Sequence, residues 1–329
     1  MAKKYQTYTN LSLEKIVLCF LSIFQIMTDI IGDIHGHADK LIDLLHMLDY
    51  EKKDGSFAHP SRKILFVGDY IDRGPKIKET LEIIKAMVDS GNAIALMGNH
   101  EYNALCFHFQ DAEGGHLRKH DIKNIIQHYQ TLKQFQNQQN AYENYLEWFK
   151  TLPLFYETPT FRAVHACWNN KNIEYLKTKL VDGKLTDELI FQSVKKGTDL
   201  NKAIDETLKG REMKMPEGLS FTDKDGTERT EIRIKWWENP AEMTYKSISI
   251  EPLENLQELP VEILNLKASD YYLPDDKKVF FGHYWLKGEP SLYKQNICCL
   301  DYSVAKNGKL VAYRLDNEKG LETNKFVFV

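Results

Sequence analysis

The amino-acid sequence predicts an α/β fold built on a mostly parallel sheet, and three observations carry that expectation. From Met27 onward, strand-like and helix-like segments alternate in the order β-α-β-α-β. The strand-like runs "TDIIGD", "KILFVGD" and "NAIALMGN" are mainly apolar, as strands covered by helices must be. Each of the three ends in a glycine followed by a polar residue, so the chain leaves every strand in the same way.

The elements follow in order. The first strand closes at Asp33, and "ADKLIDLLHMLDY" then places Leu41, Leu44, Leu45 and Leu48 on one helical face. "KILFVGDY" is the second strand. "KIKETLEIIKAMVDSG" is a helix with Leu81, Ile84, Met87 and Val88 inward and Gly91 as its stop, and "NAIALMGNH" is the third strand, with Asn99, His100 and Glu101 at its tip. "QTLKQFQNQQNAYENYLEWF" reads as one exposed helix running to Pro153, because Leu132, Phe135, Tyr142, Tyr145, Leu146 and Phe149 recur along it. Two later β-like runs end in histidine: "FRAVHACW" at His165 and "KKVFFGHYW" at His283, after Gly282. Tyr302 and the closing "KFVFV" read as structural, and no internal repeat is present.

Composition narrows the function classes. With 43% hydrophobic and 27% charged residues over 329 positions, the chain has a globular composition and room for one large domain or two ordinary ones. A net charge of -4 offers no counter-charge for a nucleic-acid backbone, so DNA or RNA binding is not expected. The five cysteines (Cys19, Cys106, Cys167, Cys298 and Cys299) are odd in number and form no C-x-x-C, which points to buried thiols in a cytoplasmic protein. Residues 1–26 include Lys3, Lys4 and the apolar run "IVLCFLSIFQIM", like the start of a secretory leader. The run is too short to span a bilayer and is followed at once by the first strand, so a mis-assigned start upstream of Met27 is the expectation, a leader the alternative, and no stable membrane insertion is expected.

In a parallel sheet, ligands gather beyond the carboxyl ends of the strands. Those ends carry Asp33 and His35, then Asp69, Asp72 and Arg73, then Asn99 and His100, with His165 and His283 in the same position on later strands. Asp33, His35, Asp69, Asn99, His165 and His283 together offer oxygen and imidazole donors without thiolate, a set suited to two divalent ions, with Mn, Fe, Zn and Mg as the options. Asp69, on the middle strand, is the natural bridge between them. Strand-end geometry is expected to turn His100 away from the ions, toward a leaving group. His108, His116, His120 and His128 have no such setting and read as solvated or packing residues.

The set "GDIHG", "GDYIDRG", "GNHE", "VHA" and a late "GH" resembles the calcineurin-like metallophosphoesterase superfamily, in its phosphoprotein-phosphatase branch, from Met27 to about Tyr313. "VHA" and the tail "CLDYSVAKNGKLVAYRLD" are more similar to its bacterial diadenosine-tetraphosphatase-like and serine/threonine phosphatase-like members. The resemblance implies two packed mixed β-sheets flanked by helices, and a dimetal phosphoesterase in which a hydroxide held between two ions, most readily Mn, attacks phosphorus. It assigns one ion to Asp33, His35 and Asp69, the other to Asp69, Asn99, His165 and His283, the substrate phosphate to Arg73, and a general-acid pair to His100 and Asp72.

Residues 171–275 are more chain than a strand connection needs and read as a cap-like insertion within a domain spanning 27–329. Arg211, Arg229, Arg233 and Lys235 lie there, and the sequence singles out Arg229 and Arg233 as further substrate contacts. Of the adjacent Trp236 and Trp237, at least one is expected in the core, because neighbours on a strand face opposite ways. Dinucleoside polyphosphates are the favoured substrates. A phosphoserine or phosphothreonine protein, a small phosphomonoester, and a non-catalytic nucleotide sensor or scaffold are the alternatives.

Overall fold

Parallel strands need crossovers long enough to carry the chain back, and the sequence supplies two early helices for the purpose. In the computed structural model, which describes residues 27–111, 113–222, 228–250, 258–261 and 271–329, they do so. The chain runs through β1 (Met27–Ile31), α1 (Ala38–Met47), β2 (Glu51–Lys53), β3 (Ser56–Ala58), β4 (Arg62–Phe66), α2 (Ile77–Asp89) and β5 (Ala93–Ala95). β1 pairs parallel with β4, and β4 with β5. The ribbon of β2 and β3 was not anticipated, although its signal is the Asp54-Gly55 pair, with φ of 50° and 86°.

The order continues with α3 (Asn99–His108), α4 (Ile122–Gln134), α5 (Gln139–Lys150), β6 (Phe155–Glu157), β7 (Phe161–Val164), α6 (Asn170–Lys179), α7 (Asp187–Ser193) and α8 (Asp199–Lys209). Then come β8 (Glu212–Lys214), β9 (Phe221–Thr222), β10 (Glu228–Arg229), β11 (Glu231–Arg233), α9 (Tyr245–Ile248), β12 (Lys278–Phe281), β13 (Ile297–Cys299), β14 (Asp301–Tyr302), β15 (Lys309–Leu315) and β16 (Phe326–Phe328). One mixed sheet has the order β14-β15-β1-β4-β5 with β16 on β15, and a second has the order β13-β12-β7-β6.

The period of two along each strand builds the layers. Ile30, Leu65, Val67, Val311 and Tyr313 from the first sheet meet Phe161, Ala163, Phe280 and Cys298 from the second, so the sheets pack face to face. Their neighbours Ile31, Ile64 and Phe66 point the other way, onto Leu41, Leu44, Leu81 and Ile84 of α1 and α2. On the far side, Val279, Phe281, Ile297 and Cys299 pack under Trp236, Trp237 and Tyr284. The two-sheet sandwich that the family resemblance implied is therefore present, with helices outside the first sheet.

Several local expectations change. The long polar helix is two helices, α4 and α5, broken at Asn137, which has a φ of 61°, and Phe135, Tyr142, Leu146 and Phe149 are buried rather than part of an exposed face. Trp236 and Trp237 are both core residues, since the chain departs from strand geometry after Arg233 and no longer alternates. Cys106, Cys167, Cys298 and Cys299 are buried free thiols. The expectations for residues 1–26 and Cys19 lie outside the described residues.

One buried ion pair anchors the start of the first sheet. Arg62 on β4 donates to both carboxylate oxygens of Asp29 on β1, at 2.9 Å from Nε, to the Leu315 carbonyl at the end of β15 and to Asp316 just beyond it. Tyr50 donates a further bond to Asp29 at 3.1 Å. Arg62→Leu strands the Asp29 carboxylate in the core and is expected to cost about 3–5 kcal/mol in a denaturant titration, whereas the double change with Asp29→Leu should recover much of that loss.

Candidate metal centre

Five chain segments converge at one end of the sandwich. The turn after β1 brings Asp33 and His35, the turn after β4 brings Asp69, Asp72 and Arg73, and β7 and β12 end in His165 and His283. The third strand differs from expectation. It stops at Ala95, and Asn99, His100 and Glu101 form the first turn of α3, with Gly98 as its N-cap. The free amide of His100 at that helix start donates to Asp69 Oδ1 at 3.0 Å.

The convergence requires strained backbone. His35, Asp69, Asp72, Arg73 and His283 all have positive φ, between 46° and 74°, a conformation that costs a non-glycine residue about 1–3 kcal/mol. Gly68 and Gly98 explain the glycine before the polar residue: a Cβ on Gly68 would lie 2.6 Å from Gly98 and 2.8 Å from His165 Nδ1, and one on Gly98 would lie 2.3 Å from the Asp69 amide. No side chain fits between these turns.

Glu101 fixes the Asp69 turn. Its buried carboxylate accepts from the amides of Asp69 and Gly98 at 2.9 Å and of Tyr70 at 2.8 Å. Burial, and then the charge of Asp69, push its pKa up to about 7.

Asp69 is the centre of the cluster. Its two oxygens face His165 Nε2 at 3.4 Å, His35 Nε2 at 3.6 Å and His100 Nε2 at 3.9 Å. Asn99 Oδ1 lies 3.0 Å from His165 Nε2 and 2.7 Å from His283 Nδ1. Two groups result in which the donor atoms lie within 4.8 Å of one another: His35, Asp69 and His100, and Asp69, His165 and His283. Asp69 belongs to both. The first group includes His100, whose place at a helix start leaves its Nε2 3.9 Å from Asp69 Oδ2. The Asp33 carboxylate is buried beside them, accepting the His283 amide at 3.1 Å.

The chemistry of these donors fits divalent cations. His35 and His165 donate from Nδ1 to the Ile71 and Val67 carbonyls, each at 2.9 Å, which leaves the Nε2 lone pairs directed at the cluster. Nε2 of His35 and of His283 is buried with no hydrogen-bond partner. Burial, then neighbouring positive charge, lowers the pKa of His35 to about 3 and that of His283 well below its usual value, so both imidazoles are neutral and keep a lone pair for a cation. Burial opposes ionisation of Asp69 too, but His165, His100 and His35 hold it well below the usual carboxylate range. Asp33 is raised by burial and then by Asp301 and Asp69, a concentration of negative charge that cations offset.

A hydrogen-bonded chain backs His100. Its Nδ1 lies 2.5 Å from Asp72 Oδ2, while Asp72 Oδ1 accepts from His128 Nδ1 at 2.8 Å and Thr131 Oγ1 at 2.6 Å. Tyr142 donates to His128 Nε2 at 2.9 Å. His128 is thus a buried partner of the site and not a solvated or merely packing residue; its only sequence signal is its place on the apolar face shared with Thr131. His116 and His120 stack beside Phe107, in line with a packing role.

The arginines separate. Arg73 is exposed, with its guanidinium carbon 4.3 Å above the Trp285 ring. Arg233, half-buried on β11, is close enough to depress His283, and its buried Nε has no hydrogen-bond partner. Arg229 is exposed on the separate ribbon of β9 and β10.

A family model described as calcineurin-like phosphoesterase matches residues 27–242. The asymmetrical bis(5'-nucleosyl)-tetraphosphatase PrpE of Oceanobacillus iheyensis is 32% identical over 139 residues, which is 42% of this chain and 54% of that one. The symmetrical bis(5'-nucleosyl)-tetraphosphatase of Marinomonas sp. is 26% identical over 310 residues, covering 90% of this chain and 96% of that one. The chain spans about half of the first relative's length, and 30% of the similar protein from Halalkalibacterium halodurans, which is 47% identical over 73 residues and 22% of this chain. Among solved structures, a cold-active protein tyrosine phosphatase shares the fold, with a TM-score of 0.50 at 17% identity over 92% of this chain and 78% of that one.

Asp69→Ala removes the one carboxylate common to both donor groups. Elemental analysis of the purified variant is expected to show fewer than half the divalent ions of the wild type, and full metal content would show that the centre does not depend on Asp69.

Proposed function

The chain belongs to the calcineurin-like phosphoesterase family, and on that premise we propose that it is a dimetal hydrolase of phosphate esters or anhydrides, with dinucleoside polyphosphates as its favoured substrates. The observation that carries this reading is the single buried carboxylate, Asp69, shared by two groups of donors. Asp33, His35 and Asp69 would hold one cation, and Asp69, Asn99, His165 and His283 the other. Two divalent ions there, with Mn the first choice and Fe, Zn or Mg the alternatives, supply Lewis acidity and make water nucleophilic at neutral pH.

The chain's own residues do the rest. Arg73 presents a planar fork that suits two oxygens of the phosphoryl group, and Arg233, beside His283, is placed to make a second contact. His100 is the general acid, delivering the proton on Nε2 to the departing oxygen. Burial alone would discharge its imidazolium, but Asp69 and the bond to Asp72 outweigh burial and raise its pKa. Asp72 is in turn locked by His128 and Thr131, so the ring keeps one tautomer and one orientation. Arg229 belongs to this proposal as a contact for the distal part of a long substrate.

The substrate preference draws support from the relatives' names, bis(5'-nucleosyl)-tetraphosphatases. The intact donor set, together with Asp72, Arg73 and His100, weighs against a non-catalytic scaffold or sensor. Buried free thiols fit a cytoplasmic setting, and no helix among the described residues is long and apolar enough to cross a membrane. A panel of diadenosine tetraphosphate, p-nitrophenyl phosphate and phosphopeptides, each with added manganese, tests the reading: turnover of phosphopeptides with none of the dinucleotide would replace it with a protein phosphatase.

Two variants test the proton relay. His100→Asn should slow hydrolysis by about 10²–10⁴-fold, with a smaller loss on substrates whose leaving groups need no proton, while both ions stay bound. His128→Leu frees one oxygen of Asp72 and should lower kcat by about tenfold or more with little change in KM, since it acts through His100. Loss of metal in His100→Asn would instead identify His100 as a ligand.

A further inference from the structure

Two residues after His283, Trp285 lies half-buried at the rim of the centre, with its ring stacked on that of His35 at 5.6 Å. Arg73 and Lys306 approach this same indole, the guanidinium carbon at 4.3 Å and the ammonium nitrogen at 4.4 Å from the ring. We propose that Trp285 holds Lys306 beside Arg73 as a second anion subsite, which takes the phosphate next to the one under attack in a polyphosphate chain.

The arrangement is built into the fold. Asp301, 2% exposed, accepts the Trp285 amide on Oδ2 at 2.7 Å and the Ser303 amide on Oδ1 at 2.9 Å. Its carbonyl accepts the Leu286 amide at 2.9 Å, and Ser303 Oγ donates to the Leu286 carbonyl at the same distance. One buried carboxylate thus joins the Trp285 turn to the turn that carries Lys306. That second turn is itself constrained: Ser303 and Asn307 bracket Val304–Lys306 in left-handed conformations, each with a φ of 60°, and Val304 is buried beneath.

The chemistry selects the ligand. The π-faces of an indole attract cations, which explains how two positive groups are held at one ring despite their repulsion. With both seated there, the ring is a cradle for charge rather than a shelf for a nucleobase. An anion that touches both groups relieves the repulsion, and Lys306 acts on it as a point charge while Arg73 forks the reacting phosphoryl. A phosphomonoester has no second phosphate to offer, so the subsite favours phosphoanhydrides. This assignment rests on the hydrolase reading above, in which Arg73 binds the reacting phosphoryl group.

The test is calorimetric titration of the full, manganese-loaded chain, with equal excess manganese in cell and syringe, using two probes that resist hydrolysis: methylenediphosphonate and methylphosphonate. The wild type should prefer the diphosphonate. Lys306→Gln, an exposed change, should weaken diphosphonate binding by about tenfold and shift methylphosphonate binding less than twofold. Trp285→Leu should weaken both probes, because it releases Arg73 as well, and Trp285→Phe should restore most of the binding. Equal losses on both probes in Lys306→Gln, or no loss on either, would overturn the subsite. Turnover of the panel of diadenosine tetraphosphate, p-nitrophenyl phosphate and phosphopeptides is read separately: a lysine-dependent diphosphonate preference with no turnover of any of them supports the subsite and removes the hydrolase reading, and with turnover of the others but not the dinucleotide it removes only the preference for dinucleoside polyphosphates.

Discussion

The rest of the structure depends on keeping the buried Asp69 carboxylate ionised. Asp69 is 2% exposed and is held charged by imidazoles of His165, His100 and His35, each delivered by a different element. Bringing five segments to one point leaves no room for side chains where the turns cross, which is why Gly68 and Gly98 stand there, and it forces left-handed backbone on the residues that carry the donors. The layered core beneath, and the Glu101 carboxylate that grips four surrounding amides, oppose relaxation of that strain.

β1 shows how the fold separates two kinds of buried charge. Asp29 near its start is answered from within the protein, by Arg62 and Tyr50, and the result is a closed knot that ties β1, β4 and the end of β15. Asp33 beyond its other end accepts the His283 amide but faces Asp301, Asp69 and Glu101, and burial with these charges pushes its pKa up. A satisfied buried charge is structural, whereas an unsatisfied one of this kind marks a place made for an external cation.

The same carboxylate-and-amide logic extends from the centre to its rim. Asp301 raises the pKa of Asp33 and at the same time ties the Trp285 and Ser303 turns, so one buried carboxylate faces both the donors and the rim. On the opposite flank, His128 and Thr131 of α4 do for Asp72 what Glu101 does for the Asp69 turn. Side chains that face the centre are thereby backed by groups that hold them in a single pose.

Residues whose meaning is local were legible from the sequence. Apolar runs ending in donor-type residues, most of them after a glycine, singled out Asp33, His35, Asp69, Asn99, His165 and His283, which lie together at one end of the sandwich, and helical spacing identified Leu41, Leu44, Leu81 and Ile84 as core. The same signal misread Asn99 to Glu101 as a strand tip, because a glycine N-cap and a strand-ending glycine look alike until the chain is seen to turn. His128 with Asp72, Arg62 with Asp29, Trp285 with Lys306 and the burial of both tryptophans were decided by the tertiary structure alone. Periodicity reports which way a side chain faces within its own element, but the partner it meets, 56 residues away for His128 and 33 for Arg62, is chosen by how the layers pack.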